Sequence, residues 1–274
     1  MKLYLITVLY NRSVREIRSL AVLLSFLRYH QEAEVFLVDN STDEEIMAAN
    51  EALTQGAKEK LSGRVHYVPV GYNAGLSRAY NLALERIEDE DDFWVMLADD
   101  DTLFSRDFLE SAYRVIRNNL KGLQVLCGVV ETGKNWISPR SMQTSWMAVS
   151  FWLRRPKPGI YRNLNPINSG LFLEGKTLRS IGGFDERLFL DQVDFLLMDR
   201  LRAAGVDRVG VTGGKILQSF SGDGGVADAQ KARARWEIFK KDFRMYCELT
   251  GKSRVYEWYI LLRRRAMMLA AGVR

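Results

Sequence analysis

At 274 residues, with 39 Lys and Arg against 34 Asp and Glu and a formal net charge of +5, the chain has room for one large α/β domain or two small ones. Its 47% hydrophobic content and 5 prolines allow a buried core and exclude a disordered chain. No apolar run reaches the ~18 residues of a membrane span. Cys127 and Cys247 stand far apart, without the paired spacing of a zinc site.

Two isolated cysteines fit a reducing compartment with free thiols. The opening "MKLYLITVLYNRS" has a short apolar part and no cleavage site, so no signal peptide and a cytoplasmic location are expected. The basic excess gathers in "WLRRPKPGIYR" and in the terminal "RRRAMMLAAGVR", whereas "ERIEDEDD" is acidic. A basic balance suits nucleic acid, an anionic membrane face or a phosphorylated small molecule. With no zinc finger, RNP-type aromatic pair or helix-turn-helix pattern, nucleic acid is not expected as a partner.

In chain order, "KLYLITVLY" reads as a strand closed by Asn11, and residues 13–29 carry apolar positions at helical spacing. "EVFLVDN" is a second strand, followed by a polar helix over about 43–55. "RVHYVPV" is a third, and "GYNAGLSRAYNLALERI" is a Gly/Asn loop feeding a helix. "DFWVMLADDD" is a fourth strand. Apolar strands alternating with helices predict a mostly parallel sheet covered on both faces. "SRDFLESAYRVIRNNL" then reads as a helix and "LQVLCGVV" as a strand. Residues 131–165 read as irregular, "NSGLFLEG" as a strand, and "GGFDERLFLDQVDFLLMDRLRAAG" as a Gly turn and helix. "GGKILQSFSGDGGVADAQ" reads as a Gly-rich loop, and 229–249 and 253–270 as two closing helices.

Ligands of such sheets bind beyond the carboxyl ends of the strands. Thr7 to Asn11, Asp39-Asn40, Asn73 to Gly75 and Asp99 to Asp101 all fall at those ends. Alternate residues of an extended stretch point the same way, so Asp99 and Asp101 can share one cation while Asp100 points elsewhere. Hard carboxylates suit Mg²⁺ or Mn²⁺ completed by phosphate oxygens; a solvated strand-to-loop turn is the plainer alternative. Asp39 at its strand end is either a turn former or an acceptor for a pyrimidine N–H, with Thr7 and Asn11 lining the same pocket. Asn73 and the backbone at Gly75 are placed to touch a nucleotide and Arg78 to reach a phosphate, although a glycine turn and helix cap would read the same. Asp191 and Asp194, with Asp199 beyond them, lie in or just before a helix. There they either complement its dipole or supply a general base. His30 and His66 are assigned to packing. Trp136, Trp146 and Trp152 are candidates for stacking on sugar rings or for the core. Val255, Trp258, Tyr259, Leu262, Ala266 and Leu269 form a helical apolar stripe beside Arg263, Arg264 and Arg265, which suits either the core or an anionic membrane face.

Taken together, "TVLYNRS", "LVDNST", "NAGLSRAYN", "LADDDT" and "GGFDERLFLDQVDFLLMDR" resemble glycosyltransferase family 2, the inverting enzymes of GT-A fold, and within it the rhamnosyltransferase-like branch. The resemblance runs from about residue 3 to residue 225. It implies a GT-A-type doubly wound mixed sheet over 1–225, with 1–101 holding the nucleotide sugar and 102–225 the acceptor. Residues 226–274 are then a helical extension that can associate with a membrane. It further implies a dTDP- or UDP-linked sugar donor held by Thr7, Asn11, Asp39 and Asn73, with Asp100 on the donor side. Asp99 and Asp101 are implied on a Mg²⁺ or Mn²⁺ ion, and an acid of the "DQVD" segment as base, Asp191 being preferred over Asp194. The acceptor implied is a glycan or lipid-linked glycan of bacterial surface polysaccharide or lipopolysaccharide. Many members carry Glu-Asp where this chain reads Asp191-Gln192, and a late metal-binding His where it reads "LQSFSGDGG", with Gln218 or Ser219 in that place. Galactofuranose or another hexose is an alternative sugar. A nucleotidyltransferase and a non-catalytic nucleotide-sugar-binding protein are alternatives of other classes.

Overall fold

The first strand, β1 (Lys2–Leu9), is built of β-branched, aromatic and leucine side chains and is buried along nearly its whole length. Such a strand must lie inside a sheet covered on both sides. A computed structural model describes residues 1–87, 92–118, 122–133, 135–141, 155–218 and 229–270 of this chain. After β1 come α1 (Leu20–Tyr29), β2 (Ala33–Asp39), α2 (Glu44–Lys60), β3 (Val65–Pro69), α3 (Leu76–Leu84) and β4 (Phe93–Asp99). The next elements are β5 (Thr102–Phe104), α4 (Arg106–Asn118), β6 (Val125–Cys127), β7 (Val130–Thr132), β8 (Asn135–Ser138), β9 (Arg140–Ser141), β10 (Gly159–Arg162) and β11 (Leu164–Asn165). The chain continues through β12 (Leu171–Glu174), α5 (Gly175–Ser180), α6 (Val193–Ala203), β13 (Arg208–Val211), β14 (Ile216–Gln218), α7 (Ala229–Leu249) and α8 (Arg254–Ala270).

The main sheet runs β10-β13-β6-β12-β4-β1-β2-β3. Strands β4, β1, β2 and β3 are parallel neighbours, while β12 enters antiparallel between β4 and β6. The sheet is therefore mixed and mostly parallel, with core clusters on both faces as the uninterrupted apolar strands require. A second sheet runs β5-β14-β7-β8, and its β5 begins at Thr102, just after β4 ends at Asp99. It sets Gln218 opposite Thr102 in register, directly after the three aspartates.

Four sequence expectations shift. The helix expected over 13–29 begins as a single 3-10 turn, Val14–Glu16, closed by a reciprocal cap between Ser13 and Glu16. Ile17 then turns extended, and α1 starts only at Leu20. The segment from 215, read as loop, contains strand β14, because Ile216 to Gln218 pair with β5 and β7. Within 131–165, read as irregular, the described residues form the end of β7 and strands β8, β9, β10 and β11. Finally, the division at 225 separates segments that share one core. Trp236, Phe239, Phe243, Tyr246 and Cys247 of α7 are buried in the cluster that also holds Leu196, Leu197 and Leu201 of α6.

Candidate active site

The carboxyl ends of β1, β2 and β4 meet on one edge, and their polar residues are tied to one another. Asn11, in the left-handed region at φ 48°, donates its backbone N–H to Ser41 Oγ at 2.8 Å and accepts from Thr42 N at 2.9 Å. The exit of β1 is thereby sewn to that of β2. Asn40 bridges to the next loop, accepting from Ala74 N and donating to Asn73 Oδ1.

Asp39 does not open onto this edge. It is fully buried, and its oxygens accept from Ser41 N, Asn50 Nδ2 and the Tyr67 hydroxyl at 3.1, 2.7 and 2.8 Å. Burial and that carboxylate raise the Tyr67 hydroxyl's pKa well above its usual value, so it stays a donor. Thr7 is likewise fully buried, and its hydroxyl has no partner.

Gly75 has a packing role. Its φ is +82°, and a Cβ there would meet the Phe189 ring at 2.5 Å and the Phe189 carbonyl oxygen at 2.7 Å. The loop into α3 is thus pressed directly onto the segment that leads to Asp191. Arg78 turns away from the edge and pairs with Glu85 and Glu186, which removes it from the expected phosphate position.

The triple aspartate divides as expected, although only Asp99 is in the strand and Asp100 and Asp101 lie in the turn that follows. Asp100 turns to Arg12 Nη1 at 3.1 Å. Asp99 and Asp101 turn together toward Gln218, whose Nε2 lies 3.1 Å from Asp99 Oδ2 and 3.3 Å from Asp101 Oδ1. Ser169 donates its hydroxyl to Asp99 as well, and Thr102 completes the cluster through Ser169 at 3.0 Å. Burial, with the neighbouring Asp101 charge, pushes the Asp99 pKa up to about 6 despite these bonds. Asp100 also rises to about 6, chiefly through burial and against the pull of Arg12. Among the described ion pairs no Lys or Arg side chain pairs with the Asp99 or Asp101 carboxylate; the nearby cations are Arg12, on Asp100, and Arg18, whose Nη1 lies 3.5 Å from the Asp101 carbonyl oxygen.

A divalent ion fits the Asp99–Asp101 pair. The two hard carboxylates converge, and Gln218 Oε1 beside them is a buried acceptor without a partner. Among the described residues no third His, Cys, Asp or Glu joins them, and the further donor beside them is the neutral Gln218 oxygen.

The acids of "DQVD" differ sharply. Asp191 is clasped by Arg235 of α7 through both guanidinium nitrogens. Asp194, in the first turn of α6, accepts from Phe195 N at 2.9 Å and from its own backbone N–H, and no ion pair to it is found among the described residues. Burial, helped by the Asp99 and Asp191 charges, pushes its pKa up to about 7. The Tyr80 hydroxyl, fully buried and unpartnered, lies within electrostatic reach of Asp99, Asp100 and Asp194. Gln192, between the two acids, adopts φ 64°, a conformation that is costly outside glycine and is found often at functional sites. Asp199 is committed to Arg202 and to the Tyr246 hydroxyl.

Several residues of this arrangement carry no local sequence signal. Asp242 is one: fully buried on α7, it accepts the backbone N–H groups of Phe189, Leu190 and Asp191 at 3.0, 2.7 and 2.7 Å. Arg12, Ser169 and Tyr80 are others. Trp136 packs beside the core under the Arg140 guanidinium, 4.1 Å from its ring centre, whereas Trp146 and Trp152 lie outside the described residues. His30 and His66 pair with Glu110 and Glu34 and stack on Phe26 and Phe36. A 360 Å³ hollow lined by Val115, Leu123, Ile160 and Val211 involves none of the site residues.

A mixed sheet with acids at the end of β4 is the architecture of GT-A glycosyltransferases, and solved structures agree. The fold matches GalNAc-T7, crystallised with UDP, GalNAc and Mn²⁺, at a TM-score of 0.60 and 14% identity, covering 80% of this chain and 44% of that one. It matches S. aureus TarS at 0.56 and 17%, covering 90% of this chain and 40% of that one. The match to TarS 1-349 in complex with UDP is 0.55 at 18%, covering 90% and 66%. The chain thus spans less than half the length of GalNAc-T7 and of TarS. No curated protein matches it. The family description "Glycosyl transferase family 2" matches residues 4–179, and the chain belongs to that family.

Proposed function

We propose that this chain is an inverting glycosyltransferase that moves a sugar from a dTDP- or UDP-linked donor to a glycan or lipid-linked glycan acceptor. The observation that carries the reading is the Asp99–Asp101 pair. Two converging carboxylates that pair with no Lys or Arg side chain among the described ion pairs stand at the sheet edge where nucleotides bind, in a member of this family. Asp99 and Asp101 would hold a Mg²⁺ or Mn²⁺ ion, which when bound neutralises the diphosphate of the departing nucleotide. The UDP and Mn²⁺ of the GalNAc-T7 structure and the UDP of the TarS structure support a nucleotide donor of this kind.

Asp194 rather than Asp191 is the base in this proposal. A base must be unpaired and poised near its working pH. Asp194 has both properties, while Arg235 holds Asp191 as an ion pair. Asp194 would take the proton from the acceptor hydroxyl as that oxygen attacks the anomeric carbon. Burial supplies the driving force, since the protonated form suits its surroundings better than the anion.

Asn11, Asn40 and Asn73 form the polar wall for the nucleoside. Asp39 supports that wall from behind, and Arg12 steadies Asp100 on the donor side. Rhamnose as the sugar, and surface polysaccharide or lipopolysaccharide as the product, rest on the sequence resemblance. Docking at the inner face of a membrane is supported by α8, whose Val255, Trp258, Leu262 and Leu269 are exposed with Arg254 and Arg263 beside them. No described helix is long and apolar enough to cross a membrane.

The test is a panel of nucleotide sugars with Mn²⁺, following nucleoside diphosphate release with and without glycan acceptors. Acceptor-dependent release from one donor is expected. Pyrophosphate release from a nucleoside triphosphate, or tight nucleotide binding with no sugar transfer from any donor, would overturn the reading.

A further inference from the structure

The amide of Gln218 is half satisfied in an instructive way. Its Nε2 donates to both Asp99 and Asp101, taking the place a cation would fill, while its Oε1 is buried without a partner. A buried, unpaired carbonyl oxygen is costly, because it has lost water and gained nothing. Turning the amide over about its terminal torsion exchanges the two ends with little change of shape and would bring Oε1 to the carboxylates. A divalent ion between the carboxylates would drive that turn, since it repels the N–H group and attracts the oxygen.

We propose that Gln218 is a ligand of the divalent cation through Oε1, and that its amide flips between a hydrogen-bonded bridge in the metal-free protein and a coordinating carbonyl in the loaded one. The proposal rests on the metal-binding reading above. The backbone supports it: β14 pairs with β5 in the register that sets Gln218 opposite Thr102, one residue beyond Asp101. Gln218 therefore arrives from a separate strand, which gives the site a third wall. An amide oxygen is a hard donor, so the set Asp99, Asp101 and Gln218 suits Mg²⁺ and Mn²⁺ and lacks the nitrogen that favours Zn²⁺, Ni²⁺ or Cu²⁺.

Two roles for Gln218 predict opposite signs. If it coordinates, Gln218→Leu removes a ligand, and Mn²⁺ affinity falls about tenfold or more, the range caused even by losing an outer-shell partner. If it only bridges the carboxylates, the same change removes a competitor, and Mn²⁺ binds as well or better. Mn²⁺ titration of the full chain followed by electron paramagnetic resonance, with Mg²⁺ as competitor, reads the difference without any turnover. Gln218→Met, close in shape and without the oxygen, serves should the leucine variant fold poorly.

In the unaltered protein, the ¹⁵N side-chain amide signals of Gln218 should move on Mg²⁺ addition, and should stay fixed if the amide does not turn. Gln218→His should bring nitrogen coupling onto bound Mn²⁺. Failure of the unaltered chain to bind Mn²⁺ would sink the metal reading and Gln218 with it. Binding that survives Gln218→Leu undiminished would overturn the role of Gln218 alone.

Discussion

Asp242→Asn is the sharpest probe of how the acid-bearing loop is held. The carboxylate is fully buried and accepts three backbone N–H groups, one on Oδ1 and two on Oδ2. Asparagine keeps the shape but has one acceptor oxygen, and its NH₂ must face at least one of those donors. Hydrogen bonds to a charged acceptor are worth ~1.5–3 kcal/mol, and a stranded buried donor costs a similar amount. Losing one such contact and opposing another gives a destabilisation of ~3 kcal/mol. For a chain of this size that lowers the midpoint of thermal unfolding by roughly 6–12 °C. Urea unfolding and thermal melts of the two proteins measure it directly. At permissive temperature transfer should fall as residues 189–191 loosen, and nucleotide affinity should weaken with it, because the loop into α3 is bonded to the Phe189 carbonyl. A melting temperature within a degree of the parent, with full transfer activity, would show that the three short contacts contribute nothing and that the loop is positioned by other means.

Asp194→Asn should lower kcat by roughly 10²–10⁴, the usual contribution of a general base, and should remove the acidic limb of the pH–rate profile near pH 7; Asp191→Asn keeping less activity than Asp194→Asn would reverse the assignment. The metal-free protein should lose stability as pH rises through about 6, because the raised pKa of Asp99 means the fold favours the protonated acid and pays when it ionises. At ~1.4 kcal/mol per pH unit the ceiling is ~3 kcal/mol for this group. Thermal stabilisation by Mn²⁺ should accordingly be large at pH 7.5 and small at pH 5, and an equal shift at both would refute the sign. Gly75→Ala should destabilise by ~2 kcal/mol or more, since a Cβ would press on Phe189 from a backbone conformation alanine avoids, and urea denaturation reads it. Trp258→Ser should weaken co-sedimentation with vesicles containing anionic lipid while leaving soluble-acceptor transfer unchanged; unaltered co-sedimentation would point to a role for that face other than lipid.

The strand-end edge that carries the candidate residues was readable because it is a local property. Asp99 ends an apolar strand and Asp100 and Asp101 form the turn after it; Asp99 and Asp101 bond to Gln218 while Asp100 bonds to Arg12, the division that alternation predicts, here produced by a turn. What escaped is the identity of the partners, which depends on chain segments brought together across long separations. Ser169 meets Asp99 across 70 residues and Gln218 across 119, and neither separation leaves a periodic trace. Arg78 illustrates the opposite error. A cation near a Gly/Asn loop suggested a phosphate contact, but it stands one turn into α3, where Glu85 seven residues on and Glu186 offer closer charges. The preference for Asp191 failed to foresee Arg235 for the same reason, since that partner arrives from a helix 44 residues away.

The contact between Gly75 and Phe189 has a kinetic consequence. The loop on the nucleotide side and the segment leading to the acids touch backbone to backbone, with Leu76 N–H bonded to the Phe189 carbonyl. Neither can shift without the other. Under the proposed function, a donor settling against Asn73 would also set the floor on which the second substrate lands. Such coupling would give sequential addition with the nucleotide sugar first and the free nucleotide as the last product to leave.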